Sequence, residues 1–435
     1  MTTSAEFETR SLVSFEESFD VLLIPPVDIS HLIDANTKVV TQLRLMVREA
    51  LPIVRSMISE MKDRPDMLIA DIFWMEACPI AAEFNMPKYL YVASNAWFAA
   101  LTIHCPVLHD QIEGEYIDQA EPLEIPGCKP VRPEDVVDPM LDRNDQQYRE
   151  YVKLGLEFAM GDGILINTWQ DLEPVTLEAF RENESLRAVA NCPVYPIGPL
   201  TRPLEPGPRT ELFEWLDMQP PESVLYVSFG SAGTLSAQQI TELACGLELS
   251  EHRFVWVVRP PVETGSDGSF FTFGNGSDGQ PGYLPEGFAT RTRNTGRIVR
   301  QWGPQMEILS HPSVGGFLTH CGWGSALESI TNGVPMIAWP LYSEQRQNAT
   351  MLAEELGVAI RPKVLPTKKV VEREEIEEMV RTLMEPKEEN VIRAKVKQLK
   401  ISGENAMEEG GSSYNMMSGF LKDVQMKLNP TNILF

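Results

Sequence analysis

The chain has 435 residues, room for two or three domains at roughly 150 residues each. Apolar residues make up 43% and charged residues 23%, an ordinary globular composition that excludes a disordered or fibrous chain. Lysine and arginine number 37 against 62 aspartate and glutamate, a formal charge of −25. A surface that acidic repels phosphate backbones and anionic lipid, so we expect neither nucleic acid nor a membrane surface as a partner.

Six cysteines (Cys78, Cys105, Cys128, Cys192, Cys245 and Cys321) are scattered without a Cys-x-x-Cys pair. That pattern suits a reducing compartment and neither a zinc ribbon nor a disulfide scaffold. Residues 1–20 hold Glu6, Glu8, Glu16, Glu17 and Asp20 and no apolar targeting core. No run reaches the ~18 apolar residues of a membrane span. We expect a soluble cytoplasmic monomer with no metal and no resident cofactor.

In chain order, the apolar runs at residues 21–24, 67–70, 89–92 and 164–166 predict buried parallel strands. Segments of helical period, such as 40–61, lie between most of them. Residues 198–209 hold Pro199, Pro203, Pro206, Gly207 and Pro208; few of these could pack, which predicts a linker. Beyond it, residues 224–229 predict a strand. Ser236-x-x-Gln239 then predicts a capping box opening a helix to Leu249. A strand at 254–258 leads into a glycine-rich loop (Gly265, Gly268, Gly274, Gly276, Gly279). Strands near 297–299, 316–318 and 336–338 each precede a helical segment. The pattern is α/β: two doubly wound parallel sheets, with domains at 1–197 and 210–435 around a cleft.

Residues 302–345 hold the densest chemistry. A predicted strand runs into His320-Cys321-Gly322-Trp323-Gly324-Ser325 and then a helix. Glycines at a strand-to-helix turn let a ligand approach the free N–H groups of the first helical turn, a natural seat for a diphosphate. His320 and Ser325 can add hydrogen bonds, Glu328 can accept from a vicinal diol, and Trp302 offers a flat face to a base. No Gly-Lys-Ser/Thr follows the glycines, and no Gly-x-Gly-x-x-Gly follows the first strand of either half. A nucleotide diphosphate ending in a polyol therefore fits better than ATP or a dinucleotide.

This segment resembles the signature box of plant secondary-product UDP-glycosyltransferases of the two-domain GT-B fold. The likeness rests on Trp302-Gly303-Pro304-Gln305, His320-Cys321-Gly322-Trp323, Glu328, Trp339-Pro340 and Glu344-Gln345. It extends to residues 195–199, 226–231 and 410–413. The branch it is most similar to glucosylates hydroquinone, monolignols and anthocyanidins at O-3. The resemblance implies UDP-glucose as donor and an aromatic small molecule as acceptor. It implies that Trp302, Gly303 and Gln305 hold the uridine. Ser231, His320, Gly322, Trp323, Gly324 and Ser325 would surround the diphosphate, with Glu328 on the ribose. Trp339, Glu344 and Gln345 would hold the hexose, and Tyr342 belongs to the same donor site. Asp71 matches the carboxylate that orients the family's catalytic histidine, and the last helix is expected to pack back on the first domain.

Two departures accompany the likeness. Position 324 is Gly where the family has Asn. The family's opening strand–helix–strand, whose Pro-Gly-x-Gly-His loop carries the base, has no counterpart, so the first domain is expected to be incomplete and turnover impaired. Three readings follow: an inverting O-glucosyltransferase, a UDP-sugar-binding pseudoenzyme or truncated gene product, and a nicotinamide oxidoreductase. Several residues keep two meanings. His320 is a phosphate contact or a core histidine, and Asp71 orients a base or caps the next helix. Tyr91, Trp97, Phe98 and His104 line an acceptor pocket or belong to ordinary core.

Overall fold

A computed structural model describes residues 21–204, 210–261, 283–385 and 390–429. The first half builds a parallel sheet from β1 (Leu68–Asp71), β2 (Lys88–Val92), β3 (Gly163–Ile166) and β4 (Val194–Pro196), in that spatial order. The second half builds a six-stranded parallel sheet from β5 (Val224–Ser228), β6 (Arg253–Val258), β7 (Gly296–Arg300), β8 (Val314–Thr319), β9 (Met336–Ala338) and β10 (Ala359–Ile360). Its spatial order is β10-β9-β8-β5-β6-β7. Every residue of β3, β5, β8 and β9 is buried, because helices cover both faces of each sheet and leave no face for polar side chains. The glycine-rich loop predicted at 265–279 lies outside the described residues.

Three local expectations change. Residues 21–24 form no strand: Val21, Leu22, Leu23 and Ile24 are 44%, 56%, 65% and 36% exposed. An apolar run becomes a strand only where a neighbour takes up its backbone groups, and among the described residues none does. β1 is correspondingly an edge strand, with Ile69 46% exposed. The capping box at Ser236 is half formed. Ser236 Oγ accepts from the Gln239 N–H at 3.2 Å, but the Gln239 amide pairs with the buried Val371 backbone, accepting its N–H at 2.8 Å and donating to its carbonyl at 3.0 Å.

The predicted linker is also less free than its prolines imply. Asn167 accepts the Leu200 N–H at 2.7 Å and donates to its carbonyl at 3.0 Å. Ser413 Oγ donates to the Gly198 carbonyl. Residues 205–209 lie outside the described part. The helix Ser412–Leu428 returns to the first sheet. There Phe420 stands edge-on to Tyr89 at 4.8 Å, and the Tyr89 hydroxyl donates to Asp423 at 2.6 Å.

Candidate active site

Counted from β5, the second sheet has the 3-2-1-4-5-6 order of a doubly wound nucleotide-binding domain. Its order reverses between β5 and β8, where a crevice opens at the carboxyl ends of the strands. β5 runs out through Gly230 (φ +74°) to the exposed Ser231. β8 runs out through His320 and Cys321 (φ +67°) to Gly322, the N-cap of the helix Trp323–Asn332. The His320 ring lies between the two glycines. A Cβ added at either Gly230 or Gly322 would stand 2.6 Å from the imidazole, so no other residue fits at either place without displacing it.

Burial pushes the His320 pKa down to about 4, which leaves the ring neutral near pH 7. Its Nδ1 is buried without a hydrogen-bond partner. A buried polar atom of this kind costs stability and marks a place where a ligand atom would be welcome. Beside it, Gln305 at the start of the helix Gln305–Leu309 ties two residues of the next helix together. Its Nε2 donates to Ser325 Oγ at 2.9 Å and to Glu328 Oε2 at 2.6 Å. Burial raises the Glu328 pKa, against the Gln305 hydrogen bond that lowers it. Trp302, just past β7, is 58% exposed, a large apolar face open to solvent, while Gly303 is packed against Val257. Gly324 is exposed, and a Cβ there would meet nothing within 4 Å.

The remaining expected residues divide. Trp323 is core: its buried indole N–H donates to the Asn167 carbonyl of the first domain at 2.8 Å. The Trp339 indole is fully buried, edge-on to Phe229 at 6.2 Å. The Trp339 Nε1 is buried without a hydrogen-bond partner, as His320 Nδ1 is. Gln345 Oε1 accepts the N–H groups of Leu341 and Tyr342 at 3.0 and 3.1 Å, closing a turn. Tyr342 and Glu344 flank a second space.

That space is a cleft of about 130 Å³ between the domains. Leu43, Ile72, Phe73, Phe98, Tyr151 and Leu154 form much of the first domain's wall, and Tyr342, Ser343 and Glu344 close it from the second. Of the four aromatic candidates, Phe98 alone lines it. Trp97 belongs to the buried core of the second domain's cluster and Tyr91 packs with Tyr89 and Phe420. His104 is buried with its Nδ1 3.2 Å from Ser185 Oγ; each fills a core position at helix or strand spacing. Asp71 ends β1 just before Ile72 and Phe73. Its Oδ1 accepts the N–H groups of Phe73 and Trp74 at 2.8 and 3.2 Å, the helix-cap role, while Oδ2 holds no hydrogen bond among the described residues. None of the six histidines hydrogen-bonds Asp71 or lines the cleft.

The seam between the domains uses residues that local sequence does not single out. Asn348 donates to the Cys321 carbonyl at 2.9 Å and accepts from Asn95 at 2.7 Å, which holds the left-handed Cys321 turn. Asp135 is fully buried and paired with Arg361 at 2.8 and 2.9 Å. Arg346 bonds the Val136 carbonyl at 3.0 Å and the Asp138 carboxylate. The cues, lone polar residues 200 and more positions apart, are invisible without the fold.

A reversal point floored by a helix N-terminus, with an apolar cleft at the seam of two parallel-sheet domains, is the arrangement of the GT-B fold. The family model for UDP-glucoronosyl and UDP-glucosyl transferase matches residues 194–396. The chain is 55% identical over 418 residues to anthocyanidin 3-O-glucosyltransferase 5 of Manihot esculenta, covering 96% of this chain and 86% of that protein. It is 41% identical to the hydroquinone glucosyltransferase of Rauvolfia serpentina, over 94% of this chain and 87% of the relative. The structure of Phytolacca americana UGT2 with UDP-2-fluoro-glucose and pterostilbene superposes with a TM-score of 0.85 at 38% identity, covering 96% of this chain and 89% of that one. TcCGT1 in complex with UDP superposes at 0.91 and 46%, over 98% and 91%. The chain belongs to the plant UDP-glycosyltransferases. No helix among the described residues is long and apolar enough to cross a membrane.

Proposed function

We propose that this chain binds UDP-glucose in the β5/β8 crevice and transfers glucose, with inversion, to a phenolic or flavonoid hydroxyl held in the interdomain cleft. The observation that carries the reading is the Gln305–Ser325–Glu328 chain on the helix that opens at Gly322. Backbone N–H groups and the dipole there favour a diphosphate, and they stabilise the charge that develops on it as the sugar leaves. Glu328 is held where its carboxylate can accept the ribose hydroxyls, and Ser231 and His320 flank the same spot. Trp302 offers its open face to the uracil, and Glu344 and Gln345 stand on the hexose side. Relatives named for anthocyanidin and hydroquinone glucosylation, and a neighbour solved with pterostilbene, support an aromatic acceptor.

Transfer also needs a base to take the acceptor's proton. Asp71 Oδ2 is open beside the cleft, yet no histidine of the chain hydrogen-bonds it. We therefore propose that turnover by residues 1–435 is far below that of a relative carrying such a histidine. A UDP-sugar binder without turnover is the limiting case of the same reading. Calorimetry with UDP, followed by product analysis with UDP-glucose and hydroquinone or coniferyl alcohol, tests both parts. Heat of UDP binding with little product is expected. No heat from folded protein sinks the donor site, and turnover equal to that of the Rauvolfia serpentina relative sinks the deficit.

A further inference from the structure

The turn that carries Tyr342, Glu344 and Gln345 is held by a residue of the other domain. Its centre, Ser343, has φ +59°, a left-handed conformation that is unfavourable for a residue with a Cβ. Asp138, 205 positions earlier, engages both of its backbone polar groups. The Ser343 N–H donates to Asp138 Oδ2 at 2.7 Å, and the Ser343 carbonyl accepts the Asp138 N–H at 3.1 Å. The other carboxylate oxygen of Asp138 takes the Arg346 guanidinium. Arg346 is buried, and its Nε donates to the Val136 carbonyl at 3.0 Å.

Support from the second domain is thinner at this point. Gln345 Oε1 braces Leu341 and Tyr342, the residues before Ser343. Among the described residues, no hydrogen bond from the second domain reaches the Ser343 N–H or carbonyl. The Glu344 carboxylate accepts from Ser343 Oγ at 2.6 Å. Its other contacts, Ser94 Oγ and Asn348 Nδ2, stand at 3.5 Å each, so its aim follows the backbone turn. The Gln305–Ser325–Glu328 chain, by contrast, lies wholly within the second domain. The nucleotide side of the crevice is thus built by one domain, and the sugar side takes shape across the seam.

Resting on the function proposed above, we infer that Asp138 is a positioning residue: with the domains together it locks the strained Ser343 turn and so aims Glu344 at the hexose of the donor. Charge keeps the contact in register, because a buried Arg346 without its carboxylate is strongly unfavourable. Asp138 acts through Ser343 and not on the reacting atoms. Its loss should therefore be felt by the sugar of the donor and not by the nucleotide.

Calorimetry on chain 1–435 with UDP and with UDP-glucose tests this. Asp138→Ala should leave the UDP dissociation constant within about twofold and raise that of UDP-glucose about tenfold. Should the single variant not fold, Asp138→Ala with Arg346→Met removes the uncompensated charge and should show the same split. Adding Ser343→Gly, which lets the left-handed turn form without strain, should recover part of the lost UDP-glucose affinity with UDP unchanged. Equal weakening of both ligands, no change in either, or no recovery with glycine overturns the inference. A native chain that binds neither ligand sinks the donor-site reading instead.

Discussion

Gly324 faces open space on the first turn of the Trp323–Asn332 helix. Gly324→Asn should therefore be accepted without a clash and should gain slightly from better helix propensity. It supplies the side-chain donor that the family resemblance implies at this position. One hydrogen bond is worth about 0.5–1.5 kcal/mol, so the UDP-glucose dissociation constant should fall between about two- and tenfold with the melting temperature unchanged or raised. A constant that does not fall would show that the missing donor is irrelevant here. His320 makes a pH prediction. Its folded pKa, about 4, lies below the ordinary 6.5, so the unfolded chain binds the extra proton first. Stability from this group is whole above pH 6.5 and drains away as pH falls toward 4, by up to about 3 kcal/mol. Urea unfolding of the native chain and of His320→Gln should show a shallower acid limb in the variant. Parallel limbs would refute the assignment.

At the scale of elements, the helix Ser412–Leu428 stabilises a domain from which it is separated by more than 200 positions. Phe420 is 3% exposed and fills the corner between Tyr89 and Tyr195. Phe420→Ala should cost about 3–5 kcal/mol, as for other buried phenylalanines, and should loosen β2 and β4 first. Hydrogen exchange reads this directly. Protection lost uniformly from both sheets would mean that the helix is not tied to the first one. The half-made capping box belongs to the same scale: Gln239 was legible as a cap, but the buried Val371 backbone claimed its amide.

For the whole molecule the decisive contacts cross the seam. Asp135 has no exposure; Arg361 is its near charge partner at 2.8 Å, and Arg132 stands further off at 3.8 Å. Removing one member of a buried pair leaves an uncompensated charge at about 3–5 kcal/mol, whereas replacing both is often nearly neutral. Arg361→Met should thus be strongly destabilising in urea melts, and Asp135→Asn with Arg361→Met should recover most of the loss. If the double variant is no better than the single, the pair is not what holds the seam. The cleft is likewise a property of the whole, since its walls come from stretches between Val39 and Leu154 and from Tyr342 to Glu344.

Periodicity alone specified the α/β class, eight of the nine strands it predicted, and the strand–glycine–helix turn at His320 to Ser325. Parallel strands buried on both faces, and a helix opening on glycine, leave local marks in composition and spacing. The same local reading could not tell that residues 21–24 stay unpaired, that the Trp323 indole bonds the first domain, or that Gln345 closes a turn. Nor could it find Asp138, Asn348 or the Asp135–Arg361 pair. Those outcomes depend on which backbone groups and charges meet in space, and a buried polar group takes whatever partner the packing of distant segments brings to it.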